Sequence, residues 1–197
     1  MAEPVYIGID PDLQRPALAA VQGSDVVFVA CFKTSKSKQQ AAVEEIAKEA
    51  MHWMDGVCDS LGFAGYHYPD LSGIAVEAQE IYRGKTKNPQ DIAVLAASAG
   101  VLLGAARARW PHADAVFALP KDWKKGVPKR IHQARVLKRL GVPCELVGEK
   151  GTGYCVPLWP EGKLPIGEAD LNRSDWKHVV DAIGLAVYAQ SLFRGEA

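Results

Sequence analysis

The apolar positions change their period along the chain, and each change marks an element. Val5 to Asp10 (VYIGID) is a short β-rich run that stops at a turn signal, Asp10-Pro11-Asp12. Ala17 to Val21 and Val26 to Phe32 are two more such runs, separated by Gly23-Ser24-Asp25. Three short strands this close together predict an antiparallel meander. From Lys38 to Leu61 the spacing becomes helical, with Ala42, Ile46, Ala50, Trp53 and Val57 in repeat and Gly62 as a stop. Gly73 to Val76 predicts a buried strand ending at Glu77. A polar loop follows, and then Asn88 as N-cap and Pro89 as first residue open a helix that reaches about Arg109. Its Ala, Leu and Gly residues lie on most faces, which predicts a well-buried helix. Ala115 to Leu119 is a further strand, and Pro128 to Leu140 is a basic helix stopped by Gly141. Residues 141–173 are rich in Gly and Pro, with short strands near Cys144–Val147 and Tyr154–Leu158, and read as an excursion from the core. Ser174 caps a last helix from Asp175 to about Phe193.

No repeat or long linker divides this order, so residues 1–197 predict a single α/β domain: a mixed sheet with helices on both faces. At 48% hydrophobic and 23% charged residues, the 197-residue chain can bury a real core. No apolar run approaches the roughly 18–20 residues of a membrane span, and MAEPVYIGID lacks the pattern of a secretory leader. Cys31, Cys58, Cys144 and Cys155 form no C-x-x-C pair and no zinc spacing. Free thiols in a reducing cytoplasm are the expectation.

The net charge of zero conceals a segregation. Arg83 to Arg139 holds 13 Lys and Arg against Asp91, Asp114 and Asp122, while the remainder is acidic by the same margin of 10. A basic middle suggests a polyanion-binding surface, and solvated helix faces explain the same count.

The acids carry more information. Asp10 and Glu77 each end an apolar strand, and functional groups of open α/β sheets collect at such ends. A carboxylate left there needs a cation or a donor. On the last helix Asp175, His178 and Asp181 follow at three-residue steps, among Val179, Val180, Ala182, Ile183 and Leu185. Each has a simpler reading: a turn residue for Asp10, an ion pair for Glu77, a satisfied core histidine for His178, and first-turn helix chemistry for Asp175. Together Asp10, Glu77, His178 and Asp181 make a hard, oxygen-rich set suited to Mg²⁺ or Mn²⁺.

These residues carry a resemblance. Ile7-Gly8-Ile9-Asp10-Pro11 resembles the opening motif of RuvC-type Holliday junction resolvases, a family of ribonuclease H-like fold. Ile74-Ala75-Val76-Glu77 is similar to that family's second strand-end acid, and His178-Val179-Val180-Asp181-Ala182 to its C-terminal helix motif. The chain departs from the pattern at Asp12, where the family has Gly; the side chain suits a turn or an outer contact to a metal-bound water. Residues 141–173 are also longer than the family's connection.

The resemblance implies a ribonuclease H-like five-stranded mixed sheet and a homodimer that cuts four-way DNA junctions by paired nicks, leaving 5′ phosphate and 3′ hydroxyl. It implies two Mg²⁺ ions per site, with Mn²⁺ as substitute, held by Asp10, Glu77, His178 and Asp181, with His178 as ligand or acid/base. It places Lys121 or Lys124 in catalysis. Tyr82, Arg83, Lys85, Lys87, Lys125, Lys129 and Arg130 become DNA contacts, with Trp123 and Tyr82 as stacking candidates or, for an aromatic beside a strand, core. The helix Ile92–Ala106 offers small residues for a dimer contact, and core packing explains them equally well. The implied setting is the cytoplasm of a bacterial or phage-infected cell.

Three other readings share these residues. A ribonuclease H-like nuclease acting on flaps, branched DNA or RNA–DNA hybrids has the same centre. A non-catalytic DNA-binding module has no use for acids that repel phosphate. An actin-like phosphotransferase also opens on Gly-x-Asp but needs two such domains, and the chain has one opening motif.

Overall fold

The structure is a computed structural model that describes residues 3–34, 39–62, 71–78, 89–149, 153–167 and 171–196. Three strands open it: β1 (Val5–Asp10), β2 (Ala17–Gln22) and β3 (Asp25–Cys31). Then come α1 (Gln39–Ser60), β4 (Leu71–Glu77), α2 (Pro89–Arg109) and β5 (Asp114–Ala118). The short α3 (Pro120–Lys124) leads into α4 (Lys129–Arg139), the hairpin strands β6 (Cys144–Val147) and β7 (Tyr154–Pro157), and α5 (Trp176–Phe193). The sequence pattern anticipates all of these except α3, which Pro120 opens and Lys125 closes in the left-handed region at φ 49°.

The main sheet has five strands in the order β3-β2-β1-β4-β5. The expected meander is present: β1 pairs antiparallel with β2, and β2 with β3. On the other side β1 pairs parallel with β4, and β4 with β5. Ile9 lies opposite Val76 and Glu77 opposite Ala118, so β1 and β4 finish side by side. This is the mixed five-stranded sheet that the resemblance implies.

Helices cover both faces. Val5, Ile7 and Ile9 of β1 and Ile74 and Val76 of β4 share a core with Ile46, Met54 and Val57 of α1 and Leu102 and Ala106 of α2. The other face belongs to α5, which packs over β1, β2 and β4 and carries α4 on its outer side. Here Tyr6 and Val21 alternate with small residues, Ala17, Ala19, Gly73 and Ala75, and Gly8 is the extreme case. A Cβ at Gly8 would overlap the Ala182 carbonyl oxygen and the Ala186 amide nitrogen, so α5 rests directly on the β1 backbone.

Two expectations change. α2 is buried along one stripe only, formed by Leu95, Ser98, Ala99, Leu102 and Ala106, while Ala93, Ala96, Ala97, Gly100 and Gly104 are exposed. Its residues Gln90–Arg109 are also long and apolar enough, by length and composition, to cross a membrane. The small residues that raise its hydropathy need no burial, which is why an apolar sequence coexists with an open face. The segment 141–173 carries its two expected strands but is tied to the core and is not an excursion from it. Its β6–β7 hairpin packs on α4, and Ile166 returns to β3, accepting from Val29 N–H (2.9 Å) and donating to Val27 (3.2 Å).

Candidate active site

Asp10 closes β1 and Glu77 closes β4, so strand pairing alone brings two carboxylates to one sheet edge. Both point to the face that α5 covers. From α5 come His178 and Asp181, one turn apart on the stripe that meets β1. His178 Nδ1 lies 2.9 Å from Asp10 Oδ2. Asp181 is buried at 2% exposure, where an ionised carboxylate requires partners. It has three. Lys129 Nζ stands 2.5 Å from Oδ2, Lys124 Nζ lies 3.5 Å from the same oxygen, and Gln133 Nε2 donates to Oδ1 at 2.8 Å.

Lys124 ties the set together, because its ammonium also reaches Glu77 Oε2 at 3.4 Å. Trp123, buried at 4% exposure, lies under that ammonium with its ring centre 4.3 Å away. The cluster therefore holds three carboxylates, two ammonium groups and one imidazole, contributed by β1, β4, α3, α4 and α5.

The acids differ in their electrostatics. Burial raises the Asp10 carboxyl above its ordinary range; the His178 hydrogen bond opposes this and the Asp181 charge reinforces it. Burial likewise pushes Glu77 up to about 7, with the Asp10 charge adding to the rise and Lys124 working against it. Burial acts on Asp181 in the same sense. There Lys129 and Lys124, with hydrogen bonds from Lys129 and Gln133, outweigh it and hold the carboxyl below the usual range. Burial would lower Lys124, but Asp181, Glu77 and Asp10 reverse the sign and raise it.

Among the described residues, no three His, Cys, Asp or Glu side chains stand together as a metal-ligating group. The lysines account for this: one ammonium lies against both Glu77 and Asp181, and a second against Asp181. The donor chemistry nonetheless fits a hard divalent ion. Three carboxylates from three elements share one site, and two of them are held above their normal range, Asp10 by burial and the Asp181 charge, Glu77 by burial and the Asp10 and Asp181 charges. Turning Lys124 and Lys129 away from Asp181 frees carboxylate oxygens for such an ion.

The other sequence-derived candidates sort as follows. Lys121 and Lys125 flank Lys124 but are exposed, and Lys121 makes no ion pair among the described residues, so of Lys121 and Lys124 only the latter reaches the acids. Arg130 is half-buried at the start of α4, and its carbonyl accepts the Cys155 thiol at 3.3 Å. Trp123 is a core residue: its ring packs edge-on to His132 (4.9 Å between centroids) and sits where Gly184 leaves room. Tyr82, Arg83, Lys85 and Lys87, and the N-cap Asn88, lie outside the described residues. Asp12 forms a turn, accepting from Gln14 N–H (2.8 Å) and Arg15 N–H (2.9 Å). Asp175 is buried, pairs with the Arg15 guanidinium and accepts from Asn172 N–H at 2.9 Å, so it anchors the start of α5 to the first turn.

Gln133 was not visible as a site residue in the sequence. Its one signal is position: it heads the otherwise apolar stripe Gln133, Val136 and Leu137 of α4, continued by Leu140 at the helix end, one turn after Lys129. Beyond Lys124, a cavity of about 550 Å³ between α3, α4 and α5 is lined by Trp123, Lys125, Arg135, Arg139 and Tyr188. None of Asp10, Glu77, His178 or Asp181 lines it, so the chemistry lies elsewhere.

No family model matches the chain, and no curated protein matches its sequence. Solved structures do match its fold. The RuvC of Thermus thermophilus in complex with a Holliday junction substrate aligns with a TM-score of 0.58 at 17% identity, covering 98% of this chain and 94% of that one. Another Thermus thermophilus RuvC structure aligns at 0.56 and 18% identity, covering 97% and 95%. The likeness runs the length of both proteins and shows that this chain has the ribonuclease H-like fold of RuvC.

Proposed function

We propose that this protein is a metal-dependent, structure-specific endonuclease that resolves four-way DNA junctions by paired nicks, leaving 5′ phosphate and 3′ hydroxyl. The observation that carries this reading is the convergence of Asp10, Glu77 and Asp181, with Lys124 and Lys129 among them, at the paired ends of β1 and β4. A fold shared with a junction-bound RuvC supports the choice of substrate.

Asp10, Glu77, Asp181 and His178 would hold two Mg²⁺ ions, with Mn²⁺ as a substitute. When bound, the ions acidify an attacking water and offset the charge that develops on the leaving 3′ oxygen. The chain's own groups do the rest. Lys124 and Lys129 exchange a carboxylate for a phosphate oxygen as DNA arrives, which draws the strand to the acids. Trp123 backs Lys124 and limits its swing. His178, hydrogen-bonded to Asp10 through Nδ1, orients that carboxylate, and its remaining ring nitrogen would serve either as a metal ligand or as an acid/base near the departing oxygen. Lys125 and Arg130, with Tyr82, Arg83, Lys85 and Lys87 of the loop after Glu77, extend the phosphate path.

Two symmetric nicks require two sites, and the exposed Ala93, Ala96, Ala97, Gly100 and Gly104 of α2 suit a close helix contact between two copies. Among the described residues, a Cβ added at Gly100 or Gly104 would meet nothing within 4 Å, which suits a partner on that face. The cytoplasm, where the four thiols stay reduced, is the setting that fits this work.

The test is cleavage of a labelled synthetic four-way junction beside matched duplex, flap and RNA–DNA hybrid, with Mg²⁺, Mn²⁺ or EDTA. Paired, symmetric, metal-dependent nicks confined to the junction are expected. Preferential cutting of flap or hybrid keeps the centre and replaces the substrate, and no cutting with either metal leaves a binding module.

A further inference from the structure

Gln133 is fully buried, and both its amide nitrogen and its amide oxygen are engaged. Its Oε1 accepts the Cys155 backbone N–H at 2.9 Å, while Nε2 donates to Asp181 Oδ1 at 2.8 Å and to the Lys177 carbonyl at 3.1 Å. The partners fix which end of the amide is which, since an N–H needs an acceptor and a carboxylate needs a donor. One side chain thus spans from the β6–β7 hairpin to the acid on α5. The hairpin is anchored in turn: the Cys155 thiol donates to the Arg130 carbonyl (3.3 Å), Leu158 N–H to Pro143 (2.7 Å), and Trp159 packs near Trp176 (6.0 Å between centroids).

The consequence falls on Asp181. With Oδ1 held by Gln133, the carboxyl plane is set and Oδ2 is the oxygen turned to Lys129 and Lys124. We propose that Gln133 is a positioning residue that orients Asp181 for its cation, and that the β6–β7 hairpin is the part of the fold that holds Gln133 in place. This inference rests on the metal-dependent reading above and extends it to a segment whose use was otherwise unassigned. The longer connection at 141–173 then serves the acids from behind.

Two variants test it in the full-length protein. Gln133→Met keeps an unbranched side chain of similar reach and removes both polar contacts. Cys155→Pro deletes the one N–H that leaves the hairpin ladder for Gln133, at a position where β6 does not need it. For each, Mn²⁺ binding to the metal-free protein is measured by calorimetry, together with Mg²⁺ dependence of junction cleavage, junction affinity in EDTA and the melting temperature. Removing a group that orients a metal ligand costs about 10–100-fold in metal affinity or activity. The expected result is a loss of about tenfold in Mn²⁺ affinity for Gln133→Met and a smaller loss in the same direction for Cys155→Pro. A lower kcat at unchanged KM, with junction affinity in EDTA intact, accompanies both.

A purely structural role for Gln133 lowers the melting temperature and leaves the folded protein's Mn²⁺ affinity at the wild-type value; that result overturns the inference. Wild-type affinity in Cys155→Pro overturns it as well, because the hairpin then holds nothing that matters, and this arm stands even where Gln133→Met fails to fold. Wild-type protein that neither binds Mn²⁺ nor cuts brings down the nuclease reading and this inference together. Wild-type protein that does both, matched by the two variants, removes this inference alone.

Discussion

The sheet is covered by helices on both faces, and the two layers differ in what they bury beside their apolar cores. Under α1 and α2 the strands contribute Val5, Ile7, Ile9, Leu18, Ile74 and Val76, all large and aliphatic, and among the described residues no buried Asp, Glu, Lys or Arg lies in that core. Under α5 the same strands contribute mostly small residues, Gly8, Gly73, Ala17, Ala19 and Ala75, beside the larger Tyr6 and Val21, and then Asp10 and Glu77. Side chains alternate across a strand, so each strand serves both layers at once. Both layers hold the fold together by burying area; the α5 layer alone also brings a helix close enough for acids from sheet and helix to meet. The lesson is a division of labour: a buried charge cluster costs free energy, and the aliphatic layer opposite offsets it.

Substitutions separate the two layers. Asp181→Asn should reduce junction cleavage by about a thousandfold or more, equivalent to roughly 4 kcal/mol on the barrier, while junction binding in EDTA survives. Cleavage near the wild-type level would remove Asp181 from the centre. Asp10→Asn should be as damaging to cleavage, yet leave the metal-free protein at least as stable, because burial already disfavours that charge. A marked fall in its melting temperature would break the contrast.

Leu102→Ala in the aliphatic layer should do the reverse, costing about 2–5 kcal/mol of stability in a urea melt with unchanged Mn²⁺ affinity of the folded protein. A pH series gives a subtler effect. The Glu77 carboxyl is raised to about 7 in the folded chain, so ionising it above its ordinary 4.5 opposes folding, and stability falls as the pH rises through that window. Glu77→Gln should therefore gain on wild type between pH 4.5 and 7.5, by up to about 3 kcal/mol, in metal-free urea melts. A pH-independent difference would contradict the buried, repelled state of Glu77. The smallest effect is expected for Lys129→Ala, which should lower the slope of log affinity against log salt for the junction in EDTA by about one.

Much of the frame was legible in the residues because it rests on local signals. The turn after Asp10, the Gly stops of α1 and α4 and the Pro at the start of α2 locate the elements within a residue or two. The acids were legible for a related reason: a carboxylate ending an apolar run is costly unless used. Lys124 and Gln133 were harder, since their roles depend on how α3 and α4 dock, which no local pattern encodes. Lys121, Lys124 and Lys125 look alike in sequence, and only the turn of the five-residue α3 points one of them inward. Trp123 reads either as a stacking residue or as core, and the structure makes it core, its large apolar ring filling the notch over Gly184. The alternation in VYIGID and GIAVE holds the two-layer distinction in plain view. It escapes a reading that weighs hydrophobic runs as wholes instead of by parity.

Gly8 gives that distinction a mechanical meaning. Helix and strand touch there through main-chain atoms, with no side chain between them to act as a spacer or a cushion. Packed backbone is the least compressible joint that a protein interior offers, so the gap between Asp10 and Asp181 behaves as a fixed gauge. Drift in the aliphatic layer can alter how firmly the molecule holds together without resetting that gauge. A single methyl group at position 8 would reset it at once.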